Sequence, residues 1–393
     1  MEIFKNLYLS LNSKYLNYLL GFSLFFYTFG FNIKSQIFIS VPMVLLYIFT
    51  LNAMTDKKCH SHLIFLAFLV ILYTFLLSIV RTPLIDFAPS FIPFSIGILA
   101  LTINFEKLKL SLFYIYKGVI ISAQFMSISI IFYVLLNLVF SEKIFVDVFS
   151  DEFAGNFLFY QRPILFFVEP AHLGMALVTS FFVTLNFYKR NLISITTPII
   201  ILLAIFFTGA ISAIFAAILT IVFSMKRISL MFLIIIIFSL FLAIYGDIDF
   251  LRTNEVRTFF TEDNYGTSAS NRLIGIRIIT DFFDNDLITI LAGVGFSDYH
   301  WYFKDTYSHI SSNISHASIA NTFAMMLVSL GLIIFLLINF LGLRSLYLNR
   351  VPFAGYILIF TLFFTYGTFV NYYLWLLIFL INGSAYYDHK RGD

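Results

Sequence analysis

Long apolar runs separated by short polar segments are the feature that most constrains this sequence. About twelve runs approach the 20 residues that an α-helix needs to cross a bilayer. They are centred on residues 15–31, 37–54, 63–80, 84–103, 112–139, 163–186, 193–208, 210–224, 229–246, 318–342, 353–368 and 370–386. Only 11% of the 393 residues are charged, against about 25% in a soluble domain. The sequence therefore predicts an all-α, polytopic integral membrane protein, and it excludes a soluble domain.

The basic residues give these runs an orientation. If the N-terminus is cytoplasmic, every cytoplasmic segment carries two Lys or Arg residues. These pairs are Lys5 and Lys14, Lys57 and Lys58, Lys107 and Lys109, Lys189 and Arg190, Lys226 and Arg227, Arg344 and Arg350, and Lys390 and Arg391. The short outer loops carry fewer basic residues, which is the positive-inside pattern. We therefore predict about twelve spans with both termini in the cytoplasm.

Residues 193–224 decide whether this count holds. They form either one long helix broken near Gly209 or two short helices joined by Thr208, Gly209 and Ala210. The positive-inside pattern requires the stretch to cross the membrane twice, so it favours the two-helix form.

One long polar segment interrupts the apolar pattern between the ninth and tenth runs. Residues 247–317 are rich in Arg, His, Asp and Glu, and the predicted topology puts them outside the cytoplasm. We find no linker or repeat that would divide the chain. We therefore predict one integral membrane domain, residues 1–393, with residues 247–317 as an extracytoplasmic loop that carries a catalytic site.

A carboxylate stands a few residues inside the sixth predicted span. Burying Glu169 at membrane depth costs roughly 2.5–3.5 kcal/mol on insertion scales, which favours a polar cavity around it. Pro170 follows directly, so the helix is expected to kink or to start late there. His172 would share a helix face with Glu169, and Arg162 precedes them at the outer end. The alternative is a pair between Glu169 and His172 or Arg162 that only fixes helix packing.

Two arginines in the polar loop are candidates for binding phosphate. Arg272 and Arg277 lie in a segment with an apolar pattern typical of a helix on the membrane surface. Five residues turn an ideal helix by about 140° from one face to another, so they could grip two phosphates of one diphosphate. The alternative for Arg277 is an ion pair with Asp281, one turn further on.

A histidine precedes the tenth predicted span. Ser315 resembles an N-cap, which would set His316 at the helix N-terminus, where the dipole favours neutral imidazole and hence a general base. The alternative is a histidine that only caps the helix. His300, His309 and His316 match no zinc spacing, and no phosphate-binding glycine loop is visible. We predict neither a metal nor a cofactor, and no nucleic-acid partner.

The order of these elements resembles that of the bacterial O-antigen polymerases and of their relatives, the O-antigen ligases. The resemblance rests on Arg272 and Arg277, the Gly293-Val294-Gly295 turn, His316, Gly331, residues 169–174 (EPAHLG), and residues 208–216 (TGAISAIFA). The last segment is similar to a T-G-S-R element, but Ala210 and Ile211 replace Ser and Arg. One possible arginine contact is therefore missing.

The resemblance implies a GT-C-like glycosyltransferase of the bacterial inner membrane. It would join repeat units carried on undecaprenyl diphosphate, with inversion and without a metal. It implies His316 as the base and Arg272 and Arg277 as diphosphate ligands. The expected substrate contacts are Arg81, Arg162, Glu169, His172 and His309. A chain-length regulator and a flippase are expected partner proteins.

Two other functions remain open at this stage. An O-antigen ligase would use the same chemistry with lipid A–core as acceptor, and the EPAHLG element favours the polymerase. A lipid-linked oligosaccharide flippase belongs to a different class. Flippases need polar residues in many spans, whereas the polar residues here concentrate in one outer loop, and no inverted repeat is visible.

Overall fold

The computed structural model describes residues 14–26, 30–33, 37–81, 84–140, 156–157, 160–161, 163–167, 170–224, 278–295, 321–365 and 372–386. These residues are predominantly helical. The helices are α1 (Lys14–Phe22), α2 (Val41–Thr55), α3 (Ser61–Arg81), α4 (Leu84–Ala100), α5 (Lys109–Phe140), α6 (Pro170–Lys189), α7 (Thr196–Phe207), α8 (Ile211–Ser224), α9 (Leu287–Ala292), α10 (Thr322–Leu348), α11 (Phe353–Thr365) and α12 (Tyr372–Gly383). Each predicted apolar run within the described residues corresponds to a helix.

Four described stretches are long and apolar enough to cross a membrane. They are Ser61–Ile79, Phe105–Asn137, Pro170–Lys189 and Thr322–Leu348. Six further apolar helices have 10 to 17 residues each. The helices thus support a membrane protein, whereas twelve full-length spans and their orientation stay predictions. The ninth predicted span, residues 229–246, lies outside the described residues.

The first predicted span, residues 15–31, is wrong as a continuous helix. Helix α1 ends at Phe22, a 3₁₀ turn follows over Ser23–Phe25, and strand β1 (Gly30–Ile33) then pairs antiparallel with β2 (Ile37–Ser40). Alternating aromatic and β-branched residues favour the hairpin. A second, shorter hairpin joins β3 (Asn156–Phe157) to β4 (Tyr160–Gln161).

Residues 193–224 form two helices, as the charge pattern favoured. The turn between α7 and α8 needs Gly209 at φ 60°, a conformation that glycine adopts without strain. The hydroxyl of Thr208 donates to the Ile205 carbonyl at 2.7 Å. With 12 and 14 residues the two helices rise about 18 and 21 Å, less than the roughly 30 Å of a bilayer core. The turn itself is buried, since Thr208 and Ala210 are 0% and 2% exposed.

The tenth predicted span is also not one regular helix. Helix α10 begins at Thr322 with Asn321 as its N-cap, six residues later than a cap at Ser315 requires. Gly331 at φ 74° and ψ 169° then breaks it into α10a (322–330) and α10b (332–348). The rings of Phe323 and Phe335 lie 6.3 Å apart, whereas twelve residues of straight helix rise about 18 Å. The helix therefore bends sharply at Gly331.

Helices α6, α12 and α10a form the centre of the bundle. Almost every residue of these three segments is buried on all sides. Two tyrosine hydroxyls fix α12 to its neighbours: Tyr116 of α5 donates to the Leu380 carbonyl at 2.7 Å, and Tyr373 donates to the Leu24 carbonyl at 2.5 Å. By contrast, α3 and α5 carry many exposed apolar side chains, as expected of helices that face lipid.

The predicted cytoplasmic connections meet at one end of the bundle, here called the basic end (residues 56–60, 101–109, 189–191, 344–351 and 384–386). Lys107 Nζ donates to the Lys57 carbonyl at 3.3 Å, and Arg190 donates to the Ala385 carbonyl at 3.0 Å. Lys189 also donates to the Ser224 carbonyl. A common end for these connections is what the predicted topology requires.

Candidate functional site

The described segments on which the resemblance rests lie away from the basic end. Helix α6 starts at Pro170 and reaches the basic end only at Lys189, and α10 starts at Thr322 and reaches it only near Arg344. The turn between α7 and α8 is likewise the end of α8 opposite Ser224. We call this opposite end the motif end (residues 170–174, 208–213, 293–295 and 321–331).

Two of the motif segments pack directly on each other through Gly174. A Cβ atom on Gly174 would lie 2.5 Å from Ala213 Cβ, 3.3 Å from Ala210 Cβ and 3.4 Å from Thr208 Oγ1. The first two distances are shorter than ordinary van der Waals contacts, so only glycine lets α6 approach this closely. The EPAHLG segment therefore rests on the turn that begins the TGAISAIFA segment.

The first turn of α6 carries one of the predicted site residues. The helix begins at Pro170, so the expectation of a late start after Glu169 is confirmed. Proline suits this position because the first helical N–H has no partner within the helix. His172 lies in this turn and is half-buried. It is close in sequence to Gly174 and hence to the buried turn at Thr208.

A second contact joins the Gly293-Val294-Gly295 turn to the break in α10. Both Gly293 (φ 78°, ψ 175°) and Gly331 (φ 74°, ψ 169°) adopt a conformation that is essentially restricted to glycine. A Cβ on Gly293 would lie 2.4 Å from Gly331 N, and a Cβ on Gly331 would lie 2.3 Å from the Leu291 oxygen. The two backbones therefore touch where neither can carry a side chain.

Backbone hydrogen bonds explain why the turn and the break occur together. A non-helical residue at 331 interrupts the helical bonding of the preceding carbonyls, and unpaired buried carbonyls are costly. The turn supplies replacement donors: Val294 N–H donates to the Val328 oxygen at 2.8 Å, and Gly295 N–H donates to the Ser329 oxygen at 3.0 Å. The Gly293-Val294-Gly295 turn of the predicted polar loop thus docks into α10.

Helix α9, which leads into this turn, has an apolar outer surface. Leu287 and Ile288 of α9 are 68% and 76% exposed, and Phe283, in the turn before the helix, is 47% exposed. Asp286 caps the helix, accepting from Ile288 N and Thr289 N at 3.0 Å each and from Thr289 Oγ1 at 2.7 Å. The Thr289 hydroxyl bond, with the backbone bonds, lowers the pKa of Asp286. A short capped helix with exposed apolar residues suits the surface of a membrane.

Asn321 is a buried polar residue that the sequence analysis missed. Its Oδ1 accepts from Ala324 N at 3.1 Å and so caps α10, while its Nδ2 has no hydrogen-bond partner among the described residues although Asn321 is 0% exposed. Ser329, next to the break, is also wholly buried, and its hydroxyl has no partner in the part of the chain that the structure describes. An asparagine directly before an apolar run is a recognised helix-start signal, so Asn321 could have been found.

Of the other predicted site residues, only Arg81 lies within the described ranges. Arg81 is the last residue of α3, which starts near the basic end and therefore ends towards the motif end. Arg162, Glu169, Arg272, Arg277, His309 and His316 lie outside the described residues, so their roles stay predictions. Within the described ranges, no three His, Cys, Asp or Glu side chains come together as a metal site would require.

Comparison with known proteins adds nothing to the resemblance, which rests on the sequence motifs alone. No protein-family model matches the chain, and no curated protein matches it.

Proposed function

We propose that this chain is an O-antigen polymerase, a glycosyltransferase that joins undecaprenyl-diphosphate-linked repeat units on the periplasmic face of the bacterial inner membrane. The observation that carries the proposal is the pairing of the motif segments: Gly174 packs on Thr208, Ala210 and Ala213, and Gly293 packs on Gly331. These segments are far apart in sequence, the resemblance to this family rests on all of them, and they contact each other in pairs at one end of the bundle.

The described chain also supports an outward-facing site. Glu169 directly precedes α6 at Pro170, and His316 lies five residues before the cap of α10 at Asn321. Both positions are therefore close in sequence to segments of the motif end, opposite the basic residues that mark the cytoplasmic face in the positive-inside pattern. A substrate approaching from the periplasm would meet this end first.

The proposed reaction needs a base and a fixed positive charge. His316 takes the proton of the acceptor hydroxyl, whose oxygen attacks the anomeric carbon of the donor sugar and forms the new glycosidic bond. The bond from that carbon to the lipid diphosphate breaks, and the diphosphate leaves with the electron pair. Arg272 and Arg277 stabilise its charge in place of a metal, with Arg81 or Arg162 as helpers. Attack opposite the leaving group inverts the anomeric centre.

A gel of surface glycan from cells that lack this protein tests the proposal. We expect the ladder to collapse to core with a single repeat unit, because export and ligation would continue. Complete loss of antigen with lipid-linked polymer accumulating outside the inner membrane would instead indicate a ligase. Lipid-linked single units trapped on the cytoplasmic face would indicate a flippase, and either result would overturn the polymerase proposal.

The catalytic roles are tested in the same cells by complementation. His316→Ala is expected to abolish the ladder while protein levels in the membrane stay normal, and Arg272→Lys is expected to reduce it severely because ammonium cannot replace a bidentate fork. His62→Ala, an exposed histidine at the start of α3 near the basic end, is the matched control and should leave the ladder unchanged. A normal ladder from His316→Ala would contradict its role as the base.

A further inference from the structure

An apolar groove runs along the part of the bundle formed by α10b, α11 and α12. Its volume is about 470 Å³, and none of the described residues that line it is charged. Leu343 and Phe360 on its walls are 58% and 55% exposed, so the groove opens sideways onto the surface that would face lipid. Leu101 and Leu346, which also line it, belong to the basic end. The groove therefore reaches the end of the bundle that is predicted to face the cytoplasm.

Gly342 keeps part of this groove open. A Cβ atom at this position would have no protein atom within 4 Å, so a larger side chain there would project into empty space. Gly342 lies within α10b and lines the groove. A bulky substitution at this position would therefore fill the groove without displacing the protein around it.

Arg344 lies beside the groove at the basic end. Its guanidinium stands 5.4 Å from the centre of the Tyr347 ring, which is 67% exposed. Tyr347 is one helical turn beyond the groove residue Leu343, so these two side chains share a face of α10b. Arg344 is itself exposed, and within the described part of the chain it has no ion pair. An exposed guanidinium without a counter-ion, next to an apolar groove at a membrane surface, favours a phosphate.

The start of α11 adds a second feature that favours an anion at this end. Helix α11 begins at Phe353, and Tyr356 in its first turn lines the groove. The first N–H groups of a helix have no partner within it and carry partial positive charge. Arg350, in the connection between α10 and α11, is also exposed. At the other end of the groove, the rings of Phe323 and Phe363 lie 5.0 Å apart. The groove thus has one aromatic end and one cationic end.

We propose that the groove binds one acyl chain of an anionic phospholipid of the cytoplasmic leaflet, with the lipid phosphate on the Arg344 guanidinium. The apolar walls suit the chain, and the phosphate supplies the counter-ion that Arg344 lacks among the described residues. Because the groove opens sideways, the second chain of the lipid stays in the bilayer. The head group lies at the end opposite the motif end, so this inference does not rest on the proposed function.

Native mass spectrometry of the purified full-length chain tests the head-group contact. The probes are phosphatidylglycerol and phosphatidylcholine with identical acyl chains, of which only the first carries a net negative charge. We expect the wild type to retain phosphatidylglycerol more strongly. Arg344→Gln should weaken this retention about fivefold, as expected for one basic residue near a membrane surface, and leave that of phosphatidylcholine unchanged. Equal retention of both lipids by the wild type would contradict an anionic lipid.

Lys117→Gln is the matched control for Arg344→Gln. It also removes one exposed positive charge, but from α5 rather than from the groove, and it should retain both lipids as the wild type does. An equal loss of phosphatidylglycerol in both variants would indicate diffuse attraction to the basic end. That result would overturn a specific site at Arg344.

Gly342→Phe tests the chain site. It should weaken retention of both lipids about tenfold or more, because burial of a few methylene groups is lost. Leu336→Phe, on the same helix but 56% exposed and outside the groove, is the control and should behave as the wild type does. An unchanged unfolding midpoint of Gly342→Phe without lipid separates a filled groove from a misfolded protein. Unchanged retention by a folded Gly342→Phe protein would overturn the groove as the chain site.

Competition identifies the occupant. Excess inorganic phosphate should leave phosphatidylglycerol bound, because it has no chain for the groove. Displacement by phosphate would reduce the site to a phosphate contact at Arg344, and displacement by a polyprenyl phosphate at the same concentration as the phospholipid would assign the groove to another lipid. Either result would overturn the phospholipid site. Binding is measured on the purified protein, so these outcomes are independent of the glycan ladder.

Discussion

The two ends of the bundle are held together in different ways. At the basic end, side chains bond to the backbone of distant segments: Asn349 Oδ1 accepts from Phe105 N at 3.2 Å, and Asn349 Nδ2 donates to the Ile103 oxygen at 3.1 Å. At the motif end, Gly293 and Gly331 bring two backbones into direct contact, and Gly174 lets α6 approach the Ala213 methyl group. The first arrangement tolerates small displacements, because a side chain can adjust, whereas the second leaves no space for even a methyl group.

This difference predicts different responses to mutation. Removing a side chain at the basic end deletes hydrogen bonds and lowers stability by a limited amount. Adding one at the motif end forces two backbones apart and changes the geometry of the site itself. A variant at the basic end should therefore lose stability but keep activity, whereas a variant at the motif end should lose both.

Gly331→Ala is expected to have the largest effect. Alanine at φ 74° is strained, and its Cβ would meet the Leu291 oxygen at 2.3 Å, so we expect a loss of about 3 kcal/mol or more in the free energy of unfolding. Thermal unfolding in detergent should show a lower midpoint, and the glycan ladder should be lost. Gly342→Ala, in open space on the same helix, is the control. A Gly331→Ala protein with wild-type stability would refute the backbone contact.

Asn349→Leu is expected to lose about 2 kcal/mol of stability. The substitution removes the acceptor of Phe105 N and the side-chain donor to the Ile103 oxygen, and it leaves these buried groups unpaired. Asn339→Leu on the same helix is the control, because Asn339 Nδ2 donates only one turn back, to the Phe335 oxygen. The ladder should persist at permissive temperature in Asn349→Leu. Loss of the ladder in a well-folded Asn349→Leu protein would remove the distinction between the two ends.

Gly174→Ala should cost about 1–2 kcal/mol, because the contact is with a methyl group of Ala213 rather than with backbone. The double variant Gly174→Ala, Ala213→Gly restores the space and should recover part of the stability and most of the activity. A double-mutant cycle on the unfolding midpoint measures this coupling. Strictly additive effects would show that α6 and α8 do not meet as described.

The smallest expected effect is the pH response of the basic end. Burial, the neighbouring His62, and Lys107 and Arg344 lower the pKa of His60, against one bond to Asn349 that raises it. The unfolded chain then binds more protons at acid pH, so this contribution is present above about pH 6.5 and is lost as the pH falls. The wild-type midpoint should drop more between pH 7.5 and 5.5 than that of His60→Gln. Equal drops would exclude His60 as a cause.

The helical architecture could be predicted from hydropathy, because each described apolar run contains a helix, although the first run also includes a 3₁₀ turn and part of strand β1. The two-helix form of residues 193–224 also followed from charge, since the positive-inside pattern requires an even number of crossings there. Local composition carries this information directly. The late start of α6 could also be predicted from the local sequence, because Pro170 disfavours a helical backbone at the residue before it.

The break at Gly331 could not be predicted in the same way. The residues around it are uniformly apolar, and glycine is common in regular membrane helices, so neither periodicity nor composition signals a bend. The bend depends on the Val294 and Gly295 donors, which belong to another segment of the chain. The resemblance selected Gly293 and Gly331 but gave no reason for them. Asn321 was missed because Ser315, six residues earlier, also fits the N-cap pattern.

The central position of α12 has a consequence for how the protein is made. Helix α12 follows every other described helix in the sequence, yet it is buried among them and receives the Tyr116 hydroxyl bond. Chains fold as they leave the ribosome, N-terminal parts first. The helices that precede α12 are therefore inserted before it, and its place among them stays open until it arrives. Quality-control proteases would have that interval in which to sort incomplete chains from finished ones.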